Sequence, residues 1–129
     1  MVKGDKYEVF FQVNQNVYNG FINTFNDKNP LHTNDAFAKE KGFNGKVMHG
    51  NILTGFISYF VGEGLPLKNI IIHSEEIKFR KPVYYNDKLK LTAEITDFFE
   101  SVNIFEISFF FENAENVKVA TGKIRIGVI

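Results

Sequence analysis

The second half of the chain alternates apolar and polar residues over runs that are typical of β-strands. Residues 88–96 place apolar side chains at every second position, and residues 105–112 repeat the pattern with phenylalanines. Such alternation gives a strand one buried face and one exposed face. A last strand is predicted over residues 117–128, with a β-bulge near Thr121-Gly122, where the apolar phase slips. The short loops between these runs predict antiparallel hairpins.

The first half carries short elements separated by loops. The predicted order is a strand over 7–13, a helix over 16–25, a loop over 26–33 and a short helix over 34–41. Asn16 is the predicted N-cap of the first helix, because its side chain can accept a hydrogen bond from a first-turn N–H. Pro30 disfavours helical geometry at the residue before it, and Gly42 favours the end of a helix.

A helix predicted over residues 50–61 is apolar almost all round, which favours a fully buried position. Its small or polar exceptions share one face at helical spacing, and they form a stripe that needs a partner. They are Asn51, Thr54, Gly55 and Ser58. Extended structure is predicted between this helix and the alternating region. An antiparallel sheet wrapped against one buried helix gives an α+β fold.

Length and composition narrow the class of protein. At 129 residues, the whole of 1–129 is interpreted as a single domain. Lys+Arg and Asp+Glu both total 15, which argues against a dedicated nucleic-acid binder. The lack of cysteine excludes disulfides and thiol nucleophiles. No run approaches the roughly 18 apolar residues of a membrane span, and the charged N-terminus has no apolar signal region. We therefore expect a cytoplasmic protein that does not associate with membranes.

The segment from Asp27 to His32, DKNPLH, carries the first candidate chemistry. A carboxylate and an imidazole on one proline-bent loop can converge on a single point. The carboxylate can accept a proton from water, and the imidazole can orient that water or exchange the proton near neutral pH. Taken alone, the pair is also explained by a structural role, in which Asp27 caps the loop and His32 is a bystander.

The dipeptide His49-Gly50 opens the predicted buried helix. The first N–H groups of a helix lack internal partners and lie at the positive end of its dipole. Because Gly50 has no side chain, a ligand oxygen could approach its N–H closely, which suits a carbonyl that gains negative charge during a reaction. The alternative is an ordinary glycine at a tight junction between a loop and a helix.

Residues 25–58 resemble the signature of the MaoC-like, (R)-specific enoyl-CoA hydratase family. The shared features are D-x-N-P-x-H, a short alanine-containing helix, and a hydrophobic-x-H-G sequence that opens a central helix. Residues 79–95 are similar to the family's strand-turn-strand passage, usually F-x-x-P-V-x-x-G-D-x-L.

The resemblance has three departures. Phe25-Asn26 stand where Ser-Gly is common, Asn51 replaces an apolar residue, and Asn86 replaces a turn glycine. Asn86 suits the turn, because asparagine accepts left-handed geometry. Asn51 could hydrogen-bond within the site or narrow an acyl tunnel.

The resemblance implies a hot-dog fold, in which an antiparallel β-sheet wraps around the long helix at 50–61, in a homodimer or higher homo-oligomer. It implies syn hydration of a trans-2-enoyl thioester of coenzyme A or acyl carrier protein to the (R)-3-hydroxyacyl product, or the reverse dehydration. No cofactor and no metal ion are expected.

The resemblance also implies roles for individual residues. Asp27 and His32 match the catalytic pair that holds and activates water, and Gly50 matches the glycine whose N–H binds the thioester carbonyl. Asn29 matches an asparagine that shapes the loop, and Ser58 matches a helix serine that faces the site. The predicted substrate-binding residues are Asn29, His49, Asn51 and Ser58.

Two other functions remain open on the sequence. A hot-dog thioesterase would aim water at the thioester carbon, and a non-catalytic acyl-thioester-binding module would only hold the ligand. A metal site built from Asp27, His32 and His49 lacks a familiar ligand spacing. Arg80 and Lys81 could meet phosphates of coenzyme A, although a solvated strand face explains them as well.

Overall fold

The computed structural model describes residues 1–129, which form one five-stranded antiparallel sheet and a set of short helices. The strands are β1 (Lys6–Gln12), β2 (Ile70–Phe79), β3 (Lys88–Phe99), β4 (Ile104–Asn113) and β5 (Lys118–Val128), in the spatial order β1-β3-β4-β5-β2. The α-helices are α1 (Gln15–Phe25), α2 (Pro30–Thr33), α3 (Asp35–Glu40) and α4 (Asn51–Tyr59), and α4 continues into a π-helical turn, Phe60–Gly64. None of these helices combines the length and apolar character needed to cross a bilayer.

One face of the sheet packs on α4, and this contact forms the core. The alternation predicted for β3 and β4 is confirmed, because their inward side chains are buried at every second position. Ile52, Leu53 and Ile57 bring α4 into the same cluster of 22 buried residues. The antiparallel arrangement and the α+β class predicted from the sequence are therefore confirmed.

The prediction that this central helix is buried all round is wrong. A single sheet covers only one side of α4, so Asn51, Gly55 and Ser58 are exposed and Thr54 is half-buried. Tyr59 is 55% exposed on the same helix. The polar stripe seen in the sequence thus lies on the side of α4 that the sheet does not cover.

Three local predictions need correction. Asn14, and not Asn16, caps α1, because its Oδ1 accepts a hydrogen bond from the Val17 N–H at 3.0 Å. The bulge in β5 lies at Val119 rather than at Thr121-Gly122, since Ala120 pairs with Phe111 while Lys118 pairs with Glu112. Both Val119 and Ala120 are consequently buried.

The third correction concerns the segment 26–33, which is not all loop. Pro30 begins the single helical turn α2, where its missing N–H is no loss because first-turn donors have no internal partner. The Asn29 side chain caps that turn by accepting a hydrogen bond from the Leu31 N–H at 3.0 Å. Two positions with left-handed backbone, Asn26 (φ 58°) and Asn86 (φ 68°), stand where the resembled family commonly has glycine.

Candidate active site

Asp27 lies at the turn between α1 and α2, and local hydrogen bonds fix it there. Asn26 ends α1 with left-handed geometry and donates its N–H to the Ile22 carbonyl. The Asp27 Oδ1 accepts a hydrogen bond from the Asn29 N–H at 3.2 Å, which closes an Asx turn. Its second carboxylate oxygen has no partner within the chain and remains available to water or substrate.

His32 is held so that one ring nitrogen is free. Its Nδ1 lies 2.7 Å from the Val47 carbonyl oxygen, which can only accept, so Nδ1 carries the proton. In the neutral ring, Nε2 then has an unshared electron pair. The Tyr18 hydroxyl donates to the His32 carbonyl oxygen, and burial, with a smaller effect of Asp35, raises the pKa of Tyr18 and keeps it a donor.

His49 is the buried residue beneath this loop, with 3% of its surface exposed. Its Nε2 donates to the Asp27 carbonyl oxygen at 2.8 Å, and its ring stacks on that of His32 at 4.1 Å between centroids. Phe21 covers another side of the ring at 4.5 Å. The His49 Nδ1 is buried and has no hydrogen-bond partner. His49 thus ties the main chain of Asp27 to the start of α4.

Gly50 follows directly and forms the N-terminal boundary of α4 with helical geometry. No group of the chain accepts a hydrogen bond from its N–H. The structure adds a second reason for glycine at this position, because a Cβ would lie 2.8 Å from the Cζ atom of Phe79. The aromatic ring of Phe79 therefore covers the same helix end that would receive a ligand oxygen.

These groups surround a cavity of about 510 Å³, which we call the catalytic cavity. Asp27, His32 and His49 each present one ligand atom to it, and the three atoms lie within 4.8 Å of one another. Gly50 and Asn51 form the part of its wall contributed by α4. Arg80 and Lys81, which follow β2, bring positive charge to the same cavity.

The same three side chains could gather around one divalent ion, since two imidazoles and a carboxylate are a familiar ligand set. Each histidine already uses one ring nitrogen for a backbone carbonyl, which would leave one nitrogen apiece for a metal. Metal-binding histidines commonly make such carbonyl contacts, but the same bonds equally fix a catalytic imidazole. The expectation of no metal ion therefore stays a prediction.

The structure brings five of the seven predicted site residues to this cavity: Asp27, His32, His49, Gly50 and Asn51. Asn29 does not line it and instead caps α2. Ser58 lies on the exposed face of α4, away from the cavity.

Sequence reasoning missed Phe21 and Phe79, which line the catalytic cavity, and Glu75, which lies on the same face of β2 as Phe79 but does not line this cavity. Phe79 and Glu75 share the inward-facing phase of β2 with the half-buried Ile77, so the alternation over 75–79 held a usable signal. A register shift between Ile72 and Ser74 conceals it, because the phase of the first half of β2 does not continue into the second.

Comparison with known proteins agrees with this architecture. The model of the MaoC like domain family matches residues 7–110. The (R)-specific enoyl-CoA hydratase of Aeromonas caviae is 34% identical over 70 residues, which are 54% of this chain and 52% of that protein. The 3-hydroxybutyryl-CoA dehydratase of Methylorubrum extorquens is 31% identical over 78 residues, 60% of this chain and 50% of that protein. The aligned part is thus about half the length of these curated relatives.

A solved structure of an (R)-hydratase from A. caviae superimposes with a TM-score of 0.91 at 24% sequence identity, covering 100% of this chain and 98% of that one. At this identity the likeness establishes the fold, which is the hot-dog fold expected from the resemblance. Because the family model spans most of the chain, the resemblance noted in the sequence is confirmed. The chain belongs to the MaoC-like domain family.

Proposed function

We propose that this chain adds water to trans-2-enoyl thioesters to give (R)-3-hydroxyacyl thioesters, or catalyses the reverse dehydration. One observation carries the proposal: an Asp27 oxygen and a His32 nitrogen lie within 4.8 Å of each other in a cavity at the start of α4. A water molecule can bridge two groups at such a separation. The names of the relatives support the same reaction class.

The proposed chemistry begins with the thioester carbonyl at the N–H of Gly50. A hydrogen bond there, at the positive end of the α4 dipole, draws electron density from C3 of the enoyl group. Water held between Asp27 and His32 attacks C3 while the Asp27 carboxylate takes a proton from it. One member of the pair then returns a proton to C2 on the same face, so that H and OH both come from water and the addition is syn.

Replacing Asp27 by asparagine tests the proposal. The amide keeps the shape of the side chain and can still accept from the Asn29 N–H, but it cannot act as a general base. We expect turnover of crotonyl-CoA, followed by loss of enoyl absorbance, to fall by about 10²–10⁴-fold.

A matched control is Glu76→Gln, which neutralises an exposed carboxylate on β2; Glu76 lies opposite Lys123 in the β2–β5 register, on the face of the sheet away from α4. It should keep the parent rate. An Asp27→Asn protein that remains folded and hydrates crotonyl-CoA at the parent rate would contradict the assignment.

The same assay separates the two rival functions. Loss of enoyl absorbance without release of free thiol indicates hydration, and release of thiol indicates a thioesterase. Binding of the thioester with neither change indicates an acyl-thioester-binding module. Direct comparison of coenzyme A and acyl carrier protein thioesters identifies the carrier.

We also propose that the chain forms a homodimer or higher homo-oligomer. Strand β2 is an edge of the sheet, and the exposed face of α4 includes Ser58 and the 55% exposed Tyr59. Proteins usually cover a long edge strand, and a second copy would do so. Ser58 could then serve the site only if a neighbouring chain covers this face. Light scattering after gel filtration tests the assembly, and a monomer at micromolar concentration contradicts it.

The remaining expectations also stand as proposals: residues 1–129 act as one domain, without a cofactor, and work in the cytoplasm on a thioester substrate. Limited proteolysis that leaves a single resistant fragment of full length would support the first. Fractionation of the source cells, with activity followed by the enoyl assay, tests the location.

A further inference from the structure

A second cavity of about 810 Å³ runs between α1 and α4, and we call it the α1–α4 groove. It shares Phe21, Asp27 and Asn51 with the catalytic cavity. A substrate whose reacting carbons lie beside Asp27 can therefore extend one end into each cavity.

The charges of the two cavities assign these ends. Arg80 and Lys81 line the catalytic cavity, whereas Asp27 and Glu75 are the only charged residues that line the α1–α4 groove. Phosphates on a carrier are attracted by the cations and repelled by the carboxylates. The carrier end of the thioester thus belongs on the side of Arg80, and the acyl tail belongs in the groove.

Glu75 is an unusual residue for the wall of an acyl groove. Its pairing with the buried Ile124 places it on the inner face of β2, whereas its neighbour Glu76 pairs with Lys123 on the opposite face. Glu75 is exposed and makes no ion pair, and the partial burial of its carboxyl group raises its pKa above the ordinary value. It precedes Phe79, the residue over Gly50, by four positions, or about 13 Å of strand.

We propose that the α1–α4 groove receives the acyl tail and that Glu75 restricts the enzyme to short enoyl thioesters, whose tails end before they reach its carboxylate. This inference rests on the proposed hydratase activity. Its physical basis is that a methylene placed in an apolar tunnel contributes about 0.8 kcal/mol, or roughly fourfold in affinity. A methylene placed against a carboxylate gains little and displaces water from the charge.

The polar neighbours of Glu75 act in the same direction. Asn51 and Thr54 lie along α4, and Thr24 lies on α1, where a long apolar chain would need hydrocarbon. Aromatic, aliphatic and glycine residues supply the rest of the wall, so a long acyl tail in the groove would meet polar groups among the apolar ones.

The experiment measures kcat/KM for coenzyme A thioesters of trans-2-enoyl acids from C4 to C12, in the wild-type protein and in Glu75→Leu, Glu75→Gln and Glu76→Gln variants. The wild type should prefer C4 to C12. Glu75→Leu should raise the ratio of C12 to C4 about tenfold, as expected for one to two methylenes that gain an apolar wall. Glu75→Gln, which removes only the charge, should give a smaller rise, and Glu76→Gln should keep the wild-type ratio.

The outcomes separate this inference from the proposed function. A wild-type protein that hydrates the thioesters but prefers C12, or a ratio that Glu75→Leu and Glu75→Gln leave unchanged, overturns the role of Glu75 while hydration stands. Failure to hydrate any member of the series overturns both. Should Glu75→Leu fail to fold by circular dichroism, the rise in Glu75→Gln relative to Glu76→Gln decides the question.

Discussion

Replacing His49 by phenylalanine separates positioning of the catalytic loop from contact with substrate. The two rings have similar size, so stacking on His32 at 4.1 Å and packing against Phe21 at 4.5 Å should persist. The change removes the 2.8 Å hydrogen bond from Nε2 to the Asp27 carbonyl oxygen. It also removes Nδ1, a buried nitrogen that has no partner to lose.

The expected magnitudes follow from these contacts. A fully buried carbonyl left without its donor costs about 1–3 kcal/mol; the partly buried Asp27 carbonyl should cost less, and removing the unpartnered Nδ1 offsets part of this loss. A net loss of about 1 kcal/mol lowers the melting temperature by roughly 3–6 °C in a domain of this size. Catalysis should suffer more, because a displacement of about 1 Å in a reacting group can cost 10²-fold. We expect kcat to fall about 100-fold with KM nearly unchanged.

The assay is steady-state hydration of crotonyl-CoA together with thermal unfolding. His49→Gln keeps an N–H donor and should recover part of kcat. His73→Phe alters an exposed imidazole of β2 outside the site and should change neither kcat nor KM. Unchanged kcat in the folded His49→Phe protein refutes the positioning role. A rise in KM alone would instead assign His49 to direct contact with substrate.

Further changes test the surroundings of the site. Gly50→Ala should raise KM about tenfold, because its Cβ would lie 2.8 Å from the Phe79 ring and overpacking costs ~1–3 kcal/mol. The double variant with Phe79→Ala should recover the wild-type KM. A KM that stays high in the double variant excludes this clash as the cause. Burial raises the pKa of Glu75, so its ionisation destabilises the fold as pH rises through that pKa. Glu75→Gln should therefore unfold at a higher temperature than the wild type at pH 7 but not near pH 4. Asp27, the other acid of the groove, is present in both proteins and does not contribute to the difference. An equal difference in melting temperature at both pH values would implicate packing instead of charge. Dialysis against EDTA should leave hydration unchanged, and activity restored only by added Zn²⁺ would assign a metal to Asp27, His32 and His49.

The sheet was predictable because each strand has one covered face. In β3 and β4 every buried position holds an apolar residue and alternates with a less buried one, since covering by a single helix leaves the other face in water. The bulge at Val119 was harder to place, because the sequence shows that the phase slips but several adjacent residues could absorb the slip. Asn14 and Asn16 illustrate the same limit, since both can cap a helix and only the contact with Val17 decides between them.

Helical periodicity failed at α4 for a different reason. An apolar helix indicates that its faces are buried against other groups, but the pattern does not show whether those groups belong to the same chain. Here the sheet covers Ile52, Leu53 and Ile57, while Gly55 and Ser58 face outward. The prediction of complete burial would hold only if a second molecule covers that face.

Within the candidate site, sequence spacing indicated which residues could meet but not what fixes them. Asp27 lies in the turn before α2 and His32 lies within α2, so their approach depends mostly on local structure. Glu75 reaches the adjacent α1–α4 groove only through the pairing of β2 with β5, and no local sequence pattern indicates that register.

His49 explains why the loop and the helix start can act as one unit. It follows the buried Met48, donates to the main chain of Asp27, stacks on His32, and precedes Gly50 in the sequence. The proposed base, the imidazole and the N–H for the carbonyl are therefore all next to one buried ring. A shift of this ring would move the proposed water site and the proposed carbonyl site together, so substitutions at His49 and Asp27 should not be additive in kcat.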